Sequence, residues 1–554
     1  MSFELPAEIW TQIFDLAADE DILFQPGIPT VMAESAWYKD RILDQWRLRS
    51  PGEALNLLQR RSYATKKAIM ATCRQWRALG AEFLFRFLHF SDPMKLISLA
   101  SIMDSSSTTA STSTASLGWW TRRIHIARYH PSPIHNMTIQ DLENALVSVI
   151  KHCPNLEIFV IERPMGSAFG PVADALANHA YRKLHTVQWN VPGGDLGKVI
   201  WSLNTLPCLI AVHIDIETAV ESSQEVAHLG SAGNLRLMLP ALQQLSVRGY
   251  VEELVDQAAG WDLPSLLSFS VSSGTSINDV PDVVEFLRNH GAELVLLDLD
   301  LAPIVDVAAV LDLCPNLCTF TFNGDWRISP HDDVASELTR LPHNNITTVG
   351  VHGLSYAFGV GYAAIRMQAD PFRTGITARS NDLNVAALNR RNFPKLRRVR
   401  ALNRNLLDDL NQANGPSMEN GGYDRWNRWW NACANQGVRL EDCTGQVLGT
   451  LPEDEDDESS SEEEEDEEDE DGEEEYEDGE DGEKEEEGSE EEYDREEYDS
   501  DEYEEEVEFP VPPLPEGNGR TMELTRLLQE VRIMNAGRDE AMIARIRPPL
   551  PDSP

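Results

Sequence analysis

Between residues 118 and 450 the chain repeats one short pattern of apolar positions. Each copy has a leucine or isoleucine, followed by two residues of any type and then two apolar residues separated by one further residue. This alternation, with a period of two, predicts a β-strand. Nine copies follow one another at steps of 23 to 33 residues, except for a last step of 50. They span 155–161, 183–189, 208–214, 241–247, 265–271, 293–299, 316–322, 345–351 and 395–401, and 123–126 is a candidate preceding strand.

Between these segments the apolar period changes from two to 3.6, which is typical of amphipathic helices. Leu142, Leu146 and Val149 share one helix face, and Val283, Phe286 and Leu287 share another before Gly291, a plausible helix stop. The long last step predicts an inserted loop around 356–382. The tryptophan-rich stretch 426–442 predicts a closing helix and a last strand.

One strand and one helix per 23 to 33 residues resembles leucine-rich repeats, in which stacked units build a curved parallel sheet. We therefore expect an α/β fold: a helical N-terminal module, then a repeat solenoid over 118–450. The asparagine or cysteine position of strict repeats is mostly absent, and a doubly wound α/β domain is the alternative.

The first ninety residues have a different, helical pattern. Leu5-Pro6-Ala7-Glu8-Ile9 starts a helix, with proline at its first turn and an acid that complements the helix dipole. A second helical stretch, 67–85, contains Cys73-Arg74-Gln75-Trp76 and a predicted apolar stripe through Ile69, Cys73, Trp76, Leu79 and Phe83.

These two pieces together resemble the F-box, and the chain is similar to the F-box-like proteins of mushroom-forming fungi. The family motif is interrupted here by an insertion, 19–62. The resemblance implies a helical domain over 1–90 that docks on a Skp-type adaptor and, through it, on a cullin scaffold. The residues that match the docking positions are Leu5, Pro6, Ile9, Ile13, Phe14 and Trp76.

Strand alternation also predicts which side chains leave the core. If the leucines of each repeat point inward, the intervening positions form a surface for a protein substrate. The charged residues at these positions are Arg248, Asp298, Asp300, His352, Arg398 and Arg400.

Net charge is very unevenly distributed. Residues 453–508 carry −38 of the formal net charge of −47, so the rest of the chain is nearly balanced. A segment this charged does not bury a core, so 452–520 is predicted to be a disordered acidic and Pro/Gly-rich tail that could capture basic proteins. An isolated amphipathic helix is predicted at 521–547, and a Ser/Thr-rich linker or loop at 104–117.

Composition excludes several classes of function. No concentrated basic surface is evident, so nucleic acid is an unlikely main partner. Seven irregularly spaced cysteines without a CxxC pair indicate reduced thiols and no zinc site. With no secretory pattern and no run of 18 apolar residues, we expect an intracellular protein of the cytoplasm and/or nucleus, away from membranes.

No nucleophile, phosphate loop or fixed carboxylate pair emerges, so we expect no catalytic residues, no cofactor and no enzymatic activity. The resemblance implies a substrate-recognition subunit of a Skp–cullin–F-box ubiquitin ligase. The alternative is a non-ligase scaffold or acidic chaperone that binds basic proteins through 453–508.

Overall fold

A computed structural model describes residues 5–18, 21–40, 43, 45–109, 117–127, 138–165, 168–217, 229–273, 281–301, 306–326 and 339–452. The described helices are α1 Ala7–Ala18, α2 Pro51–Thr72, α3 Arg74–Phe85, α4 Pro93–Thr109, α5 Ile139–Lys151, α6 Phe169–His179, α7 Leu196–Asn204, α8 Glu252–Ala258, α9 Val283–His290, α10 Val307–Leu313, α11 Gly361–Ala369, α12 Pro371–Ala387, α13 Arg404–Gln412 and α14 Gly422–Ala434. The strands are β1 Ala36–Asp40, β2 Gln45–Arg49, β3 Phe87–Phe90, β4 Arg123–Ile126, β5 Ile158–Ile161, β6 Thr186–Pro192, β7 Ala211–Glu217, β8 Gln244–Gly249, β9 Ser268–Ser272, β10 Leu296–Asp300, β11 Thr319–Asn323, β12 Thr348–His352, β13 Arg398–Ala401 and β14 Arg439–Glu441.

Strands β3 to β14 form one twelve-stranded parallel sheet, in which every strand pairs with the next one in the chain. A parallel neighbour needs a crossover connection, and helices supply it in most of the intervals between strands. The α/β class is confirmed, and all nine predicted strands are present, as are the candidate strand at 123–126 and the last strand.

The hydrophobic core lies between the sheet and these helices. Alternate strand side chains point toward the helices, as when Trp189 of β6 meets Phe169 of α6 with ring centroids 5.4 Å apart. Phe269 of β9 stacks on Phe286 of α9 at 4.0 Å. The side chains between them point to the opposite face of the sheet, which is therefore free to be polar.

Capping residues fix where several helices begin. Thr138 forms a capping box with Asp141 at the start of α5, and Asp282 and Asp306 cap α9 and α10. Ser50 and Glu53 form a second capping box, with Pro51 as the first residue of α2. Each of these caps accepts a hydrogen bond from a first-turn amide that has no partner within the helix.

Three boundaries differ from the sequence predictions. The stripe through 67–85 is broken, because Cys73 is extended (φ −157°, ψ 168°) and separates α2 from α3. Phe87–Phe90 is a sheet strand, although it lies inside the predicted helical module. The predicted loop at 356–382 is largely α11 and α12, which begin after Val360 and Asp370.

The insertion 19–62 also has regular structure. It contains a 3₁₀ turn at Asp21–Phe24, the antiparallel pair β1 and β2, and the first half of α2. Helix α4 reaches Thr109, so the predicted linker begins as helix, and 110–116 lie outside the described residues. The predicted tail, apart from Pro452, and the predicted helix at 521–547 also lie outside them.

Among the described residues, no helix combines the length and the apolarity needed to cross a membrane.

Replacing Phe269 by alanine tests this packing. The side chain is fully buried and stacked on Phe286, so we expect Phe269→Ala to lower the free energy of unfolding by about 3–5 kcal/mol. Phe372→Ala is the matched control, because Phe372 is 79% exposed, and it should change that free energy by less than about 0.5 kcal/mol. Urea denaturation measures both, and equal losses would contradict the assignment of the core.

Candidate functional site

Helix α1 presents a row of apolar side chains to solvent. Leu5, Ile9 and Ile13 are each 39% exposed and Leu16 is 81% exposed. Their spacing places them on one face of the helix, and Pro6 beside them is also exposed. Four of the six residues that match the docking positions of the F-box therefore lie on one accessible surface, which we call the α1 stripe: Leu5, Pro6, Ile9, Ile13 and Leu16.

The other two predicted docking residues belong to the interior of the N-terminal helices. Phe14 is 1% exposed and packs edge-on against Trp76 at 5.2 Å and against Phe83 at 6.0 Å. Trp76 is half-buried and also meets Trp10, at 4.5 Å. The prediction that Phe14 is a surface anchor is wrong, because it lies on the helix face opposite the stripe.

Polar contacts hold α1 against its neighbours. Arg86, just after α3, pairs with Asp15 of α1 and with Glu82, 3.1 Å away. The hydroxyl of Ser62 on α2 donates to the carbonyl of Ala18 at 3.1 Å. The stripe is thus displayed on a helix whose inner face is fixed.

The sheet face opposite the helices carries polar side chains in register, and we call it the polar face. One row crosses the strands through Gln188, His213, Ser246, Ser270, Asp298, Thr321, Gly350, Arg400 and Glu441. All six residues predicted for the substrate surface belong to this face, as strand alternation indicated.

Residues 21–35 of the insertion lie across this face, and we call this segment the strap. Near its start, the guanidinium of Arg123 donates to the carbonyl of Leu23 at 2.9 Å. The amide of Gly27 donates to the hydroxyl of Thr186 at 3.0 Å. The side-chain amide of Gln244 accepts from the Ile28 amide at 3.0 Å and donates to the Ile28 carbonyl at 2.9 Å.

The far end of the strap lies on the last strands. Arg400 donates to the carbonyl of Met32 at 2.9 Å and to the Glu34 carboxylate at 2.8 Å. It also pairs with Glu441 at 2.8 Å. The amide of Ser35 donates to the carbonyl of Cys443 at 2.9 Å.

Two predicted surface residues are buried, and one of them, Arg400, lies beneath the strap. Arg400 is 3% exposed because Glu34 and Met32 cover it, and Asp298 is 1% exposed beneath its own partners. Asp300, His352 and Arg398 are half-buried, and Arg248 alone of the six is exposed. The prediction of an open charged surface is therefore wrong at Arg400 and Asp298.

Between the strap, the start of α2 and the polar face lies a cavity of about 450 Å³. Its lining is about equally polar and apolar, and the polar residues include Arg248, Ser270, Asp298, Asp300 and His352. Asp298 accepts hydrogen bonds from Ser270 at 2.5 Å and from Thr321, and it pairs with His352 at 2.7 Å.

Opposite charges govern titration in this cavity. Burial would raise the pKa of Asp298, but His352 and the hydroxyls of Ser270 and Thr321 lower it below its usual value. Burial would lower the pKa of His352, but Asp298 raises it. The pKa of His213, which has no carboxylate at hydrogen-bond distance among the described residues, is lowered by burial to about 4. Asp298 and His352 therefore each favour the charged form of the other, whereas burial favours the neutral imidazole of His213.

Helix α2 is fastened to the other end of the polar face. Gln59 bonds to His125 Nδ1 at 2.8 Å, and His125 Nε2 lies 3.0 Å from Glu162. Asn56 donates to the same carboxylate at 3.3 Å, and the Tyr63 hydroxyl donates to the Phe87 carbonyl at 2.9 Å. The N-terminal helices and the sheet are thus directly hydrogen-bonded.

Within the described residues, no three histidine, cysteine, aspartate or glutamate side chains are placed to hold a metal ion. No disulfide bond joins any of the seven cysteines, which all lie in the described part of the chain, and burial raises the pKa of Cys153, Cys314 and Cys443 to about 12. At neutral pH these three thiols are protonated, and the thiol is far less nucleophilic than the thiolate.

Comparison with protein-family models finds no matching family, and comparison with curated proteins finds no matching relative.

The His352–Asp298 pair predicts a pH-dependent contribution to stability. A raised His352 pKa stabilises the fold below the unfolded value of about 6.5, and this contribution is lost as pH rises through the folded pKa. The lowered Asp298 pKa stabilises the fold above about 3.8 and is lost on acidification. We therefore expect His352→Gln to destabilise the protein more at about pH 6 than at about pH 9.

Urea unfolding at the two pH values measures this difference. His179→Gln is the control, since His179 is exposed on α6, and its effect should be small at both values. A His352→Gln effect that is the same at both pH values would contradict the ion pair.

Proposed function

We propose that this protein is the substrate-recognition subunit of a Skp–cullin–F-box type ubiquitin ligase. The observation that carries the proposal is the α1 stripe, an apolar surface at the positions where the sequence resembles an F-box. Leu5, Ile9, Ile13 and Leu16 are exposed together, while the opposite helix face is already packed on Trp76 and Phe83.

The stripe has the chemistry of a docking surface. Fully burying an exposed large aliphatic side chain contributes roughly 1.5–3 kcal/mol, and Leu5, Ile9 and Ile13, which are 39% exposed, would each contribute only part of that on docking. Aligned apolar side chains on one helix face are typical of helix-in-groove recognition. In this proposal the groove belongs to a Skp-type adaptor, which links the chain to a cullin scaffold.

The sheet supports the second half of the proposal. Twelve parallel strands in chain order are the arrangement expected of a leucine-rich-repeat solenoid, in which each unit packs on its neighbour. We assign the polar face as the place where a protein substrate is held. Loops and helices elsewhere on the repeats would then serve to build and support this face.

The proposed role is one of proximity, without chemistry at the receptor itself. A chain that binds adaptor and cargo together turns ubiquitin transfer by other subunits into an effectively intramolecular event, at an effective concentration of up to about the millimolar range. The direct hydrogen bonds from α2 to the sheet support this role, because they limit movement between the two binding surfaces.

A binding assay with a purified recombinant Skp-type adaptor tests the proposal. We expect a complex with the wild-type chain, and a loss of affinity of at least about 100-fold for the triple variant Leu5→Ala, Ile9→Ala, Ile13→Ala. The matched control removes exposed apolar side chains elsewhere: Ile365→Ala, Phe372→Ala, Ile376→Ala. It should bind as tightly as the wild type.

Failure of the wild-type chain to bind the adaptor, or equal binding by both triple variants, would contradict the proposal. The alternative, an acidic chaperone, predicts instead that basic proteins co-purify and are lost when 453–508 are deleted, with no adaptor bound. Purification of the full chain from cells distinguishes the two, by whether an adaptor or basic proteins accompany it.

A further inference from the structure

The two ends of the strap are buried, and the residues between them are only partly buried, although several are hydrogen-bonded to the sheet. Leu23 and Ser35 are 0% and 5% exposed, whereas every residue from Phe24 to Glu34 is half-buried or exposed. Beneath this middle part lies the cavity of about 450 Å³, so the strap does not fill the space between itself and the sheet. A span with few buried apolar contacts opens locally more easily than the core.

The polar face holds the strap chiefly through its backbone. Thr186 binds the amide of Gly27, Gln244 binds both the amide and the carbonyl of Ile28, and Arg400 binds the carbonyl of Met32. Every protein chain offers these groups, so this part of the recognition does not depend on the strap's own side chains.

The Glu34 side chain has a specific charged partner on the polar face. The carboxylate of Glu34 lies 2.8 Å from the buried guanidinium of Arg400, whose other carboxylate partner is Glu441. Gly445 allows this approach, because a Cβ at that position would lie 2.5 Å from Glu34 Oε1. The face therefore has a shaped site for an acidic side chain six residues after the backbone position held by Gln244.

We infer that the polar face is a groove for a peptide segment and that residues 27–34, which turn between Thr30 and Ala33, are its built-in occupant, which an acidic cargo segment replaces. The inference rests on the proposed function, since it assigns the class of cargo. An incoming segment would bond through its backbone to Thr186 and Gln244 and place a carboxylate at Arg400.

Covalent linkage favours the strap over a free competitor. A tethered segment competes at an effective concentration in the millimolar range, so a peptide of the same sequence should bind the intact chain poorly. Replacing the strap residues that contact the sheet, while keeping the chain the same length, should expose the groove to the free peptide.

The test uses the full chain with residues 27–34 replaced by glycine and serine. This replacement keeps the same number of residues between α1 and α2. The probe is a fluorescent synthetic peptide of residues 22–36, and fluorescence anisotropy measures binding. We expect the peptide to bind the replaced chain at least tenfold more tightly than the wild type. A matched peptide with Glu34→Gln should bind the replaced chain at least tenfold less tightly than the parent peptide.

Three results would overturn the inference: absence of binding to a replaced chain that still unfolds cooperatively, equal binding to both chains, or equal binding of both peptides. If the replaced chain does not fold, the wild-type chain carrying Glu34→Gln takes its place and should bind the parent peptide at least threefold more tightly than the unaltered chain. Adaptor binding, measured on the same proteins, should be unchanged by the replacement. If none of these proteins, including the wild type, binds the adaptor, the result contradicts the proposed function but not the groove.

Discussion

The structure depends on the fact that one strand and one helix cannot bury their shared apolar surface alone. Each strand of the sheet pairs in parallel with the next strand in the chain, and alternate side chains such as Trp189 and Phe269 are covered by helices on one side only. The same alternation leaves the other side of the sheet with mostly polar or small side chains, although Phe87, Ile158 and Val160 also point to it. A long polar face is therefore a consequence of how the core is built.

Burying the charges of that face without partners would lower the stability of the fold. Arg400 and Asp298 are nearly inaccessible to solvent, and each is compensated by hydrogen-bonded groups of opposite charge: Glu441 and Glu34 for the first, His352 for the second. Because Glu34 belongs to the strap, satisfying Arg400 also fastens the N-terminal region to the end of the sheet. Helix α1 can then present its apolar stripe from a fixed position.

Features set by local sequence patterns could be predicted, whereas contacts between distant parts of the chain could not. The nine strands were predictable because a period of two is local, and the direction of Arg248, Asp298 and Arg400 followed from the same alternation. The burial of Arg400 was not predictable, because its strap partner Glu34 lies 366 positions away along the chain. Strand β3 was missed because Phe87 and Phe90 had been assigned to a helical module. The capping box at Ser50 and Glu53 was a local signal for the start of α2 that could have been used.

The central claim is that the α1 stripe is a docking surface while the strap remains on the sheet. Hydrogen–deuterium exchange of the full chain, with and without a purified Skp-type adaptor, tests it most directly. The account predicts that the adaptor slows exchange within residues 5–18 and leaves residues 24–34 unchanged. Unchanged exchange in 5–18 at saturating adaptor, or protection confined to the strap, would contradict it.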